Sequence, residues 1–167
     1  MVQYRERSSV RNDSGFETLT PLFKDEDDET FAKTSIVNKD ERKFGVINLP
    51  KFYIDFSDRN RRDATKDMKK EIARLKEEKV EGLIVDLRDN GGGSLKTAID
   101  IGGLFIKEGP IVQVKYRDEA PDVRKDTDPK TQWQGPLVVM VNELSASASE
   151  IFAAAMQDYK RGVIIGG

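Results

Sequence analysis

The sequence predicts an α/β domain built on mainly parallel strands with covering helices. Apolar runs of strand length alternate along the chain with segments of helical periodicity, which is the order of elements that parallel sheets require. Two runs, GLIVDL at Gly82–Leu87 and PLVVMV at Pro136–Val141, are almost continuously apolar, as is typical of strands buried on both faces. At 167 residues the chain has the length of about one domain.

The elements can be assigned in order along the chain. Residues 1–30 are polar and carry the acidic run Asp25–Glu29, so they are expected to form a linker or a poorly ordered arm, with the core spanning residues 31–167. The predicted strands are Phe31–Val37 at an edge, Phe44–Leu49, Gly82–Leu87, Ile111–Tyr116, Pro136–Val141 and Val163–Ile165, and the predicted helices are Asp63–Lys79, Leu95–Phe105 and Ala148–Tyr159. The polar stretch Asp118–Gln134 predicts a surface hairpin or excursion.

The composition excludes several classes of function. The chain contains no cysteine and no histidine, which excludes disulfides, cysteine nucleophiles and a Ser-His-Asp triad, so that neither a zinc site nor a cofactor is expected. The net charge is −2, which gives no electrostatic footprint for nucleic acid. No apolar run reaches the roughly 18 to 20 residues of a membrane span, so none is predicted in this chain.

Two loops contain the residue types of an acyl-transfer site. Ser147 precedes a helix rich in alanine, where a hydroxyl nucleophile could lie beside unpaired backbone N–H groups. The simpler interpretation is that Ser145, Ser147 and Ser149 are helix N-cap candidates. The run Gly91–Gly93 could form an oxyanion hole, cradle a phosphate or make a tight turn, although its spacing fits neither a P-loop nor a dinucleotide fingerprint. Both loops follow buried strands, and reactive groups gather at the carboxyl ends of such strands.

Four segments carry a family resemblance. They are GVINLPKFYIDF, GLIVDLRDNGGGSL, GLFIKEGPIVQV and GPLVVMVNELSASASEIFAAAMQDYKRGVIIGG. In this order and spacing they resemble the tail-specific, or carboxy-terminal processing, serine proteases over residues 31–167. The resemblance implies a crotonase-like α/β core, a Ser-Lys dyad and cleavage of proteins near apolar carboxy-terminal tails.

The resemblance also assigns roles to residues. The nucleophile corresponds to Ser147, the oxyanion donors to the backbone N–H groups of Gly93 and Ala148, and the supporting polar residues to Glu150 and Asp158. Gly91 and Gly92 would support the oxyanion loop. The general-base lysine of the family lies beyond Gly167, and its peptide-binding PDZ module would precede Met1. We therefore expect this chain to be a catalytic-core fragment that is inactive by itself, and we expect Lys96, Lys107 and Lys160 to be solvated surface charges.

Two other classes of function remain open at this point. A crotonase-like enzyme acting on an acyl thioester would use paired backbone N–H groups without a serine nucleophile, and a non-catalytic module could bind peptide carboxy-termini. For the protease, the implied partners are proteins or peptides with apolar carboxy-terminal tails. The family resemblance implies the cell envelope or periplasm of a bacterium as its location.

Overall fold

The computed structural model describes residues 17–21, 30–57, 62–115, 117, 119–128 and 130–167. Its helices are α1 Ala64–Glu77, α2 Leu95–Gly102 and α3 Ala148–Asp158. Its strands are β1 Glu17–Pro21, β2 Lys33–Lys39, β3 Arg42–Asn48, β4 Gly82–Asp86, β5 Pro110–Val114, β6 Asp122–Lys125, β7 Leu137–Met140 and β8 Val163–Ile165. The α/β class predicted from the sequence is confirmed.

The larger of the two sheets in the described part of the chain is a mixed sheet of six strands. Its strand order is β1-β2-β3-β4-β7-β8. The pairings β3–β4, β4–β7 and β7–β8 are parallel, whereas β1–β2 and β2–β3 are antiparallel. The apolar strands β4 and β7 pair with each other in the interior of the sheet. This agrees with their sequences, since a strand that is apolar along its whole length is typically covered on both faces. Their carboxyl ends lie side by side.

The amino-terminal part of the sheet differs from the predicted edge. The strand predicted at Phe31–Val37 is found as β2, but β1 pairs outside it, so β2 is not the edge. Strand β1 lies in the range predicted as a linker or poorly ordered arm; apart from β1 and Thr30, that range lies outside the described residues. A short polar strand has little apolar periodicity, which is why the sequence did not reveal it. The domain boundary at residue 30 stays a prediction.

The polar excursion contains a strand of its own. β6 pairs antiparallel with β5 in a separate two-stranded sheet, as expected for a surface hairpin. Tyr116 and Asp118, at the ends of two predicted segments, lie outside the described residues. The helix predicted to reach Phe105 stops at Gly102, with Gly103 as its cap. Two consecutive glycines favour this end, because glycine lowers helix propensity by about 1 kcal/mol relative to alanine.

The helices cover the sheet through their apolar sides. In α1, Met68, Ile72 and Leu75 are fully buried at the spacings of four and three residues that place them on one face. The amino-terminal end of α1 is capped by Asp63, whose carboxylate accepts a hydrogen bond of 2.8 Å from the Thr65 N–H group. In α3, Phe152 is fully buried. The core therefore extends beneath the helix that begins at Ser147.

The carboxyl end of α1 closes in a left-handed turn. Lys79 has φ 57°, its N–H group bonds to the Lys76 carbonyl at 3.0 Å, and the Val80 N–H group bonds to the Leu75 carbonyl at 3.3 Å. These are the two bonds of a Schellman motif. Glycine is preferred at the position of Lys79, because a side chain makes the left-handed region unfavourable.

We expect Lys79→Gly to raise the free energy of unfolding by about 0.5 kcal/mol, since relief of the strain exceeds the extra flexibility of the unfolded chain. The matched control is Lys70→Gly, which lies exposed in the middle of α1 and should lower the same quantity by about 1 kcal/mol. Urea denaturation of the three proteins measures both changes. Equal destabilisation by both substitutions would contradict the left-handed turn.

Candidate active site

The loops that follow β4 and β7 meet at one edge of the sheet. The Ala146 N–H group donates to the Asn90 carbonyl at 3.1 Å. The Asn142 amide bonds to Asp89 twice, accepting from its backbone N–H at 2.9 Å and donating to its carboxylate at 2.8 Å. Side-by-side parallel strands deliver their following loops to the same edge. The structure thus brings together the glycine loop and the loop that carries Ser147, as the sequence predicts.

Ser147 occupies a strained position between loop and helix. It is the N-cap residue of α3 with φ 56° and ψ −114°, whereas an N-cap residue ordinarily has an extended backbone. Its N–H group donates to the Glu150 carboxylate at 2.7 Å, and the residue is exposed. A non-glycine residue in a sparsely populated region costs about 1–3 kcal/mol and is found mainly at functional sites. Sharp strained turns of this kind also present nucleophilic serines in hydrolases.

The other two serines of the motif are bound to backbone. The Ser145 hydroxyl donates to the Leu87 carbonyl at 2.7 Å and accepts from the Asn142 N–H group at 3.0 Å. The Ser149 hydroxyl is fully buried and donates to the Asn90 carbonyl at 2.8 Å. These two serines therefore hold the loop in place. Of the three, Ser147 alone is exposed.

The triple-glycine loop packs against the Ser147 turn. A Cβ atom added at Gly92 would lie 2.8 Å from the Ala146 carbonyl oxygen and 2.8 Å from Ser147 Cβ. A Cβ atom at Gly93 would lie 2.3 Å from the Phe52 carbonyl oxygen. Both glycines have positive φ, at 104° and 141°. Gly91 differs, because a Cβ atom there meets nothing within 4 Å.

The backbone N–H groups of this loop differ in whether they are bound to a protein acceptor. Gly92 donates to the Asn90 side-chain oxygen at 2.9 Å, and Ser94 donates to the Phe52 carbonyl at 2.9 Å. Among the described residues, the Gly93 and Ala148 N–H groups donate to no protein acceptor. One unbound donor thus lies in the glycine loop and the other directly follows Ser147. The two loops are in contact at Gly92, where an added Cβ atom would lie 3.0 Å from the Ala148 nitrogen, so both donors are candidates for binding an oxyanion.

Other residues singled out by the sequence lie away from Ser147. Asp158 is the last residue of α3 and is exposed, about 16 Å from Ser147 along an axis that rises 1.5 Å per residue. Lys96 forms an ion pair with Asp100 one helical turn away. Every lysine in the described ranges is exposed or half-buried, and Lys107 and Lys160 are exposed. The structure brings none of these three lysines into a buried environment.

Asn90 is a central residue that the sequence did not single out. Its side chain is fully buried and donates to the Leu49 carbonyl at 2.7 Å while accepting from Gly92. Its carbonyl accepts from both Ala146 and Ser149. The sequence did contain a signal for this role, because Asn90 is a polar residue between a buried strand and a glycine run. A polar side chain that is buried at such a place must form hydrogen bonds to its neighbours.

An ion pair braces the same loop. Arg88 binds the buried Asp86 carboxylate through two side-chain hydrogen bonds of 2.9 and 2.7 Å. Burial raises the pKa of Asp86, but the hydrogen bonds and the charge of Arg88 outweigh burial, so the pKa lies below its usual value. The pair fixes the start of the loop that leads to Asn90.

Replacement of Arg88 by methionine should destabilise the protein at neutral pH by about 1–3 kcal/mol, because a buried carboxylate loses its partner. A carboxyl group with a depressed pKa stabilises the fold above its unfolded pKa, and this contribution is lost as the pH falls through the folded value. The difference between the two proteins should therefore shrink below about pH 4. Urea denaturation across pH measures it.

The matched control for this ion pair is Arg124→Met. Arg124 binds Asp122 at 2.8 Å with the same two-residue spacing, but the Asp122 side chain is 46% exposed, whereas that of Asp86 is 9% exposed. Exposed pairs contribute about 0–1 kcal/mol, so little change is expected at any pH. A pH-independent loss in Arg88→Met would contradict the role of the buried carboxylate.

A cleft of about 410 Å³ lies at the other end of α3, lined in part by Tyr159 and Arg161. The Arg161 guanidinium donates to the carbonyls of Phe105 and Trp133, each at 2.8 Å, and so joins three segments of the fold. This end corresponds to the amino-terminal edge of the sheet, whereas catalytic groups of parallel sheets lie at the carboxyl edge. We therefore place the candidate site at Ser147.

Within the described ranges, no group of three or more acidic side chains is arranged to hold a metal ion. In the same ranges, no helix combines the length and apolar character needed to cross a membrane.

The chain is similar to several known proteins. It is 48% identical over 135 residues to the tail-specific protease of Haemophilus influenzae, covering 81% of this chain and 18% of that protein. It is 36% identical over 132 residues to the carboxy-terminal-processing protease of Bartonella bacilliformis, covering 75% of this chain and 28% of that protein. The structure of a photosystem II D1 C-terminal processing protease matches with a TM-score of 0.61 at 30% identity, covering 73% of this chain and 30% of that one.

These matches confirm the resemblance predicted from the sequence. The chain spans less than a third of the length of each of these relatives. Residues 43–167 match the family described as Peptidase family S41, and this range covers well over half of the chain. The exposed serine on its strained turn thus lies in a chain that belongs to peptidase family S41, together with the tail-specific and carboxy-terminal processing proteases.

Proposed function

We propose that this chain forms the nucleophile half of a serine endopeptidase of the carboxy-terminal processing type. The observation that carries the proposal is the exposed Ser147 on a left-handed turn, with Gly92 packed directly against it. Residues held in such a conformation cluster at functional sites, and here the strained residue has an exposed hydroxyl group. The names of the bacterial relatives support the assignment to proteolysis.

The proposed reaction begins with attack by Ser147 Oγ on the scissile carbonyl carbon. The carbonyl oxygen gains negative charge and is bound by the N–H groups of Gly93 and Ala148, which have no protein acceptor among the described residues. The Ser147 N–H group is already bound to Glu150, which leaves Ala148 as the donor from this turn. The general base removes the Ser147 hydroxyl proton during the attack. Collapse of the tetrahedral intermediate then breaks the C–N bond, and the amine leaves with that proton. Water hydrolyses the acyl-enzyme by giving a proton to the same base, which returns it to Ser147 Oγ.

The general base is proposed to be a lysine beyond Gly167. An unperturbed lysine has a pKa of about 10.4 and is protonated at neutral pH, so the base must be desolvated. The described lysines are exposed or half-buried and do not meet this requirement. We therefore expect the chain of 167 residues to be inactive by itself, and its proposed substrates are proteins with apolar carboxy-terminal tails in the bacterial cell envelope or periplasm.

The test is fluorophosphonate labelling, together with cleavage of an apolar-tailed peptide, on this chain and on one extended through the family's lysine segment. We expect only the extended chain to react, and Ser147→Ala to abolish both signals. The control is Ser57→Ala, which removes another exposed serine hydroxyl, bonded to Asp55 at 2.6 Å, and should leave both signals intact. Reaction of the short chain would refute the inactivity.

The same experiment separates the two alternatives. A crotonase-like acyl-thioester enzyme needs no covalent bond to Ser147, so the extended chain would hydrolyse a thioester without labelling at that residue. A tail-binding module would bind the peptide without cleavage, and the binding would survive Ser147→Ala.

A further inference from the structure

We propose that Asn90 is a positioning residue that sets the oxyanion donors relative to Ser147. This inference rests on the proposed function above. Asn90 is completely buried and forms hydrogen bonds to three separate parts of the site: the end of β3, the glycine loop and the Ser147 loop.

The side chain determines which backbone N–H groups remain available. Its oxygen accepts from Gly92 at 2.9 Å, which turns this N–H group toward the protein. The next residue, Gly93, forms an isolated parallel bridge with Phe52, in which Gly92 O and Ser94 N–H supply the two bonds at 2.9 Å each. The Gly93 N–H group is left without a protein acceptor among the described residues. Asn90 thus selects the donor that can meet an oxyanion.

The carbonyl group of the same residue holds the nucleophile loop. It accepts from Ala146 at 3.1 Å and from the Ser149 hydroxyl at 2.8 Å, so it is bonded on both sides of Ser147. A left-handed serine keeps its conformation only if its neighbours are fixed. One buried residue therefore sets the geometry of both halves of the site.

The position requires a side chain that donates and accepts at the same time. The amide nitrogen donates to the Leu49 carbonyl at 2.7 Å, while the amide oxygen accepts from Gly92. An aspartate of the same shape has two acceptors when ionised and would face the Leu49 carbonyl without a proton. When it is protonated, its O–H group can donate to Leu49 and its carbonyl oxygen can accept from Gly92. Asn90→Asp is therefore a substitution whose geometry depends on pH.

The test is peptide cleavage and fluorophosphonate acylation by Asn90→Asp in the extended chain, measured across pH beside the parent protein. At pH 8 we expect kcat to fall about 10²-fold, the usual effect of losing one oxyanion donor, with KM changed less than about threefold. The ratio of the variant rate to the parent rate should rise toward one as the pH falls. The ratio removes the titration of the lysine base, which both proteins share.

Other ionisable groups around the site are common to both proteins. They are Lys51 after β3, Asp86, Arg88 and Asp89 before the glycine loop, and Glu150 on α3. The groups that contact Asn90 itself are backbone amides and carbonyls and one hydroxyl, which do not titrate in this range. A rise of the ratio at low pH therefore reports on the new carboxyl group.

Two further variants keep the test decisive. Ser149→Ala removes only the hydroxyl bond to the Asn90 carbonyl and should lower kcat about tenfold with KM unchanged. This variant tests the positioning role of Asn90 if Asn90→Asp does not fold. Thr34→Val removes a hydrogen bond of 2.7 Å to the buried Glu71 far along the chain from the site, and should lower stability without changing kcat.

The outcomes are distinct. Parent-like activity of Asn90→Asp at every pH would overturn the positioning role. A loss of activity that does not depend on pH would also overturn it, because such a loss would show that Asn90 contributes only through packing. An unchanged kcat in Ser149→Ala would overturn it if Asn90→Asp cannot be folded. Failure of the extended parent chain to label at Ser147 would refute the proposed function, and this inference with it.

Discussion

Substitution of Gly93 by alanine is expected to lower the free energy of unfolding by about 3 kcal/mol. The reason is a direct clash, because the new Cβ atom would lie 2.3 Å from the Phe52 carbonyl oxygen and 2.8 Å from the Phe52 carbonyl carbon. These are backbone atoms, which cannot rotate away as a flexible side chain can. The backbone conformation at φ 141° adds strain for any residue with a Cβ atom.

The glycine run contains its own control. Gly91 has open space around the position of a Cβ atom and does not have a positive φ, so Gly91→Ala should change stability by less than about 0.5 kcal/mol. In the extended chain, Gly93→Ala should also lower kcat about 10²-fold, because its N–H group would move. Urea denaturation and peptide cleavage measure the two effects. Equal behaviour of the two alanine variants would contradict the described loop.

A second large effect is expected from Phe152→Ala. Phe152 is completely buried, and its ring lies 5.9 Å from that of Phe105 and 6.2 Å from that of Phe52, measured between centroids. Removal of a buried phenylalanine costs about 3–5 kcal/mol, which combines the lost transfer free energy and the cavity left behind. Because Phe152 fixes α3 beneath Ser147, the site should loosen as well.

The control for Phe152 is Phe56→Ala, since the Phe56 side chain is 69% exposed. We expect this change to stay within about 0.5 kcal/mol. Thermal and urea unfolding of both variants measure the difference. Similar stability of the two variants would mean that the aromatic cluster is not part of the core.

Most elements of the fold could be predicted because their patterns are local. Strand β4 and helix α1 were found within one or two residues of their ends, since apolar continuity and a spacing of three to four residues both follow directly from burial. Strand β1 was not found, because its short polar sequence lacks the apolar periodicity by which a strand is predicted. The end of α2 at Gly102 was placed three residues too late, because the apolar residues continue past the helix.

The candidate site could be predicted only in part. The family resemblance pointed to Ser147 and Gly93, and the carboxyl-edge rule placed their loops together. The contacts of Asn90 were out of reach, because they join Leu49 and Ser149, which are 41 and 59 residues away in the sequence. No local pattern encodes such bonds. Asp158 was grouped with the site by resemblance, although the structure places it at the opposite end of α3.

The left-handed backbone at Ser147 has a consequence for the evolution of this chain. Glycine is the residue that best tolerates such a conformation, and the change would relieve the strain while removing the hydroxyl group. Selection for thermal stability alone would therefore favour glycine at this position, and the more stable protein would lack the nucleophile of the proposed mechanism. The proposed mechanism therefore predicts that serine is retained there by selection on turnover, as is common where activity depends on a destabilised residue.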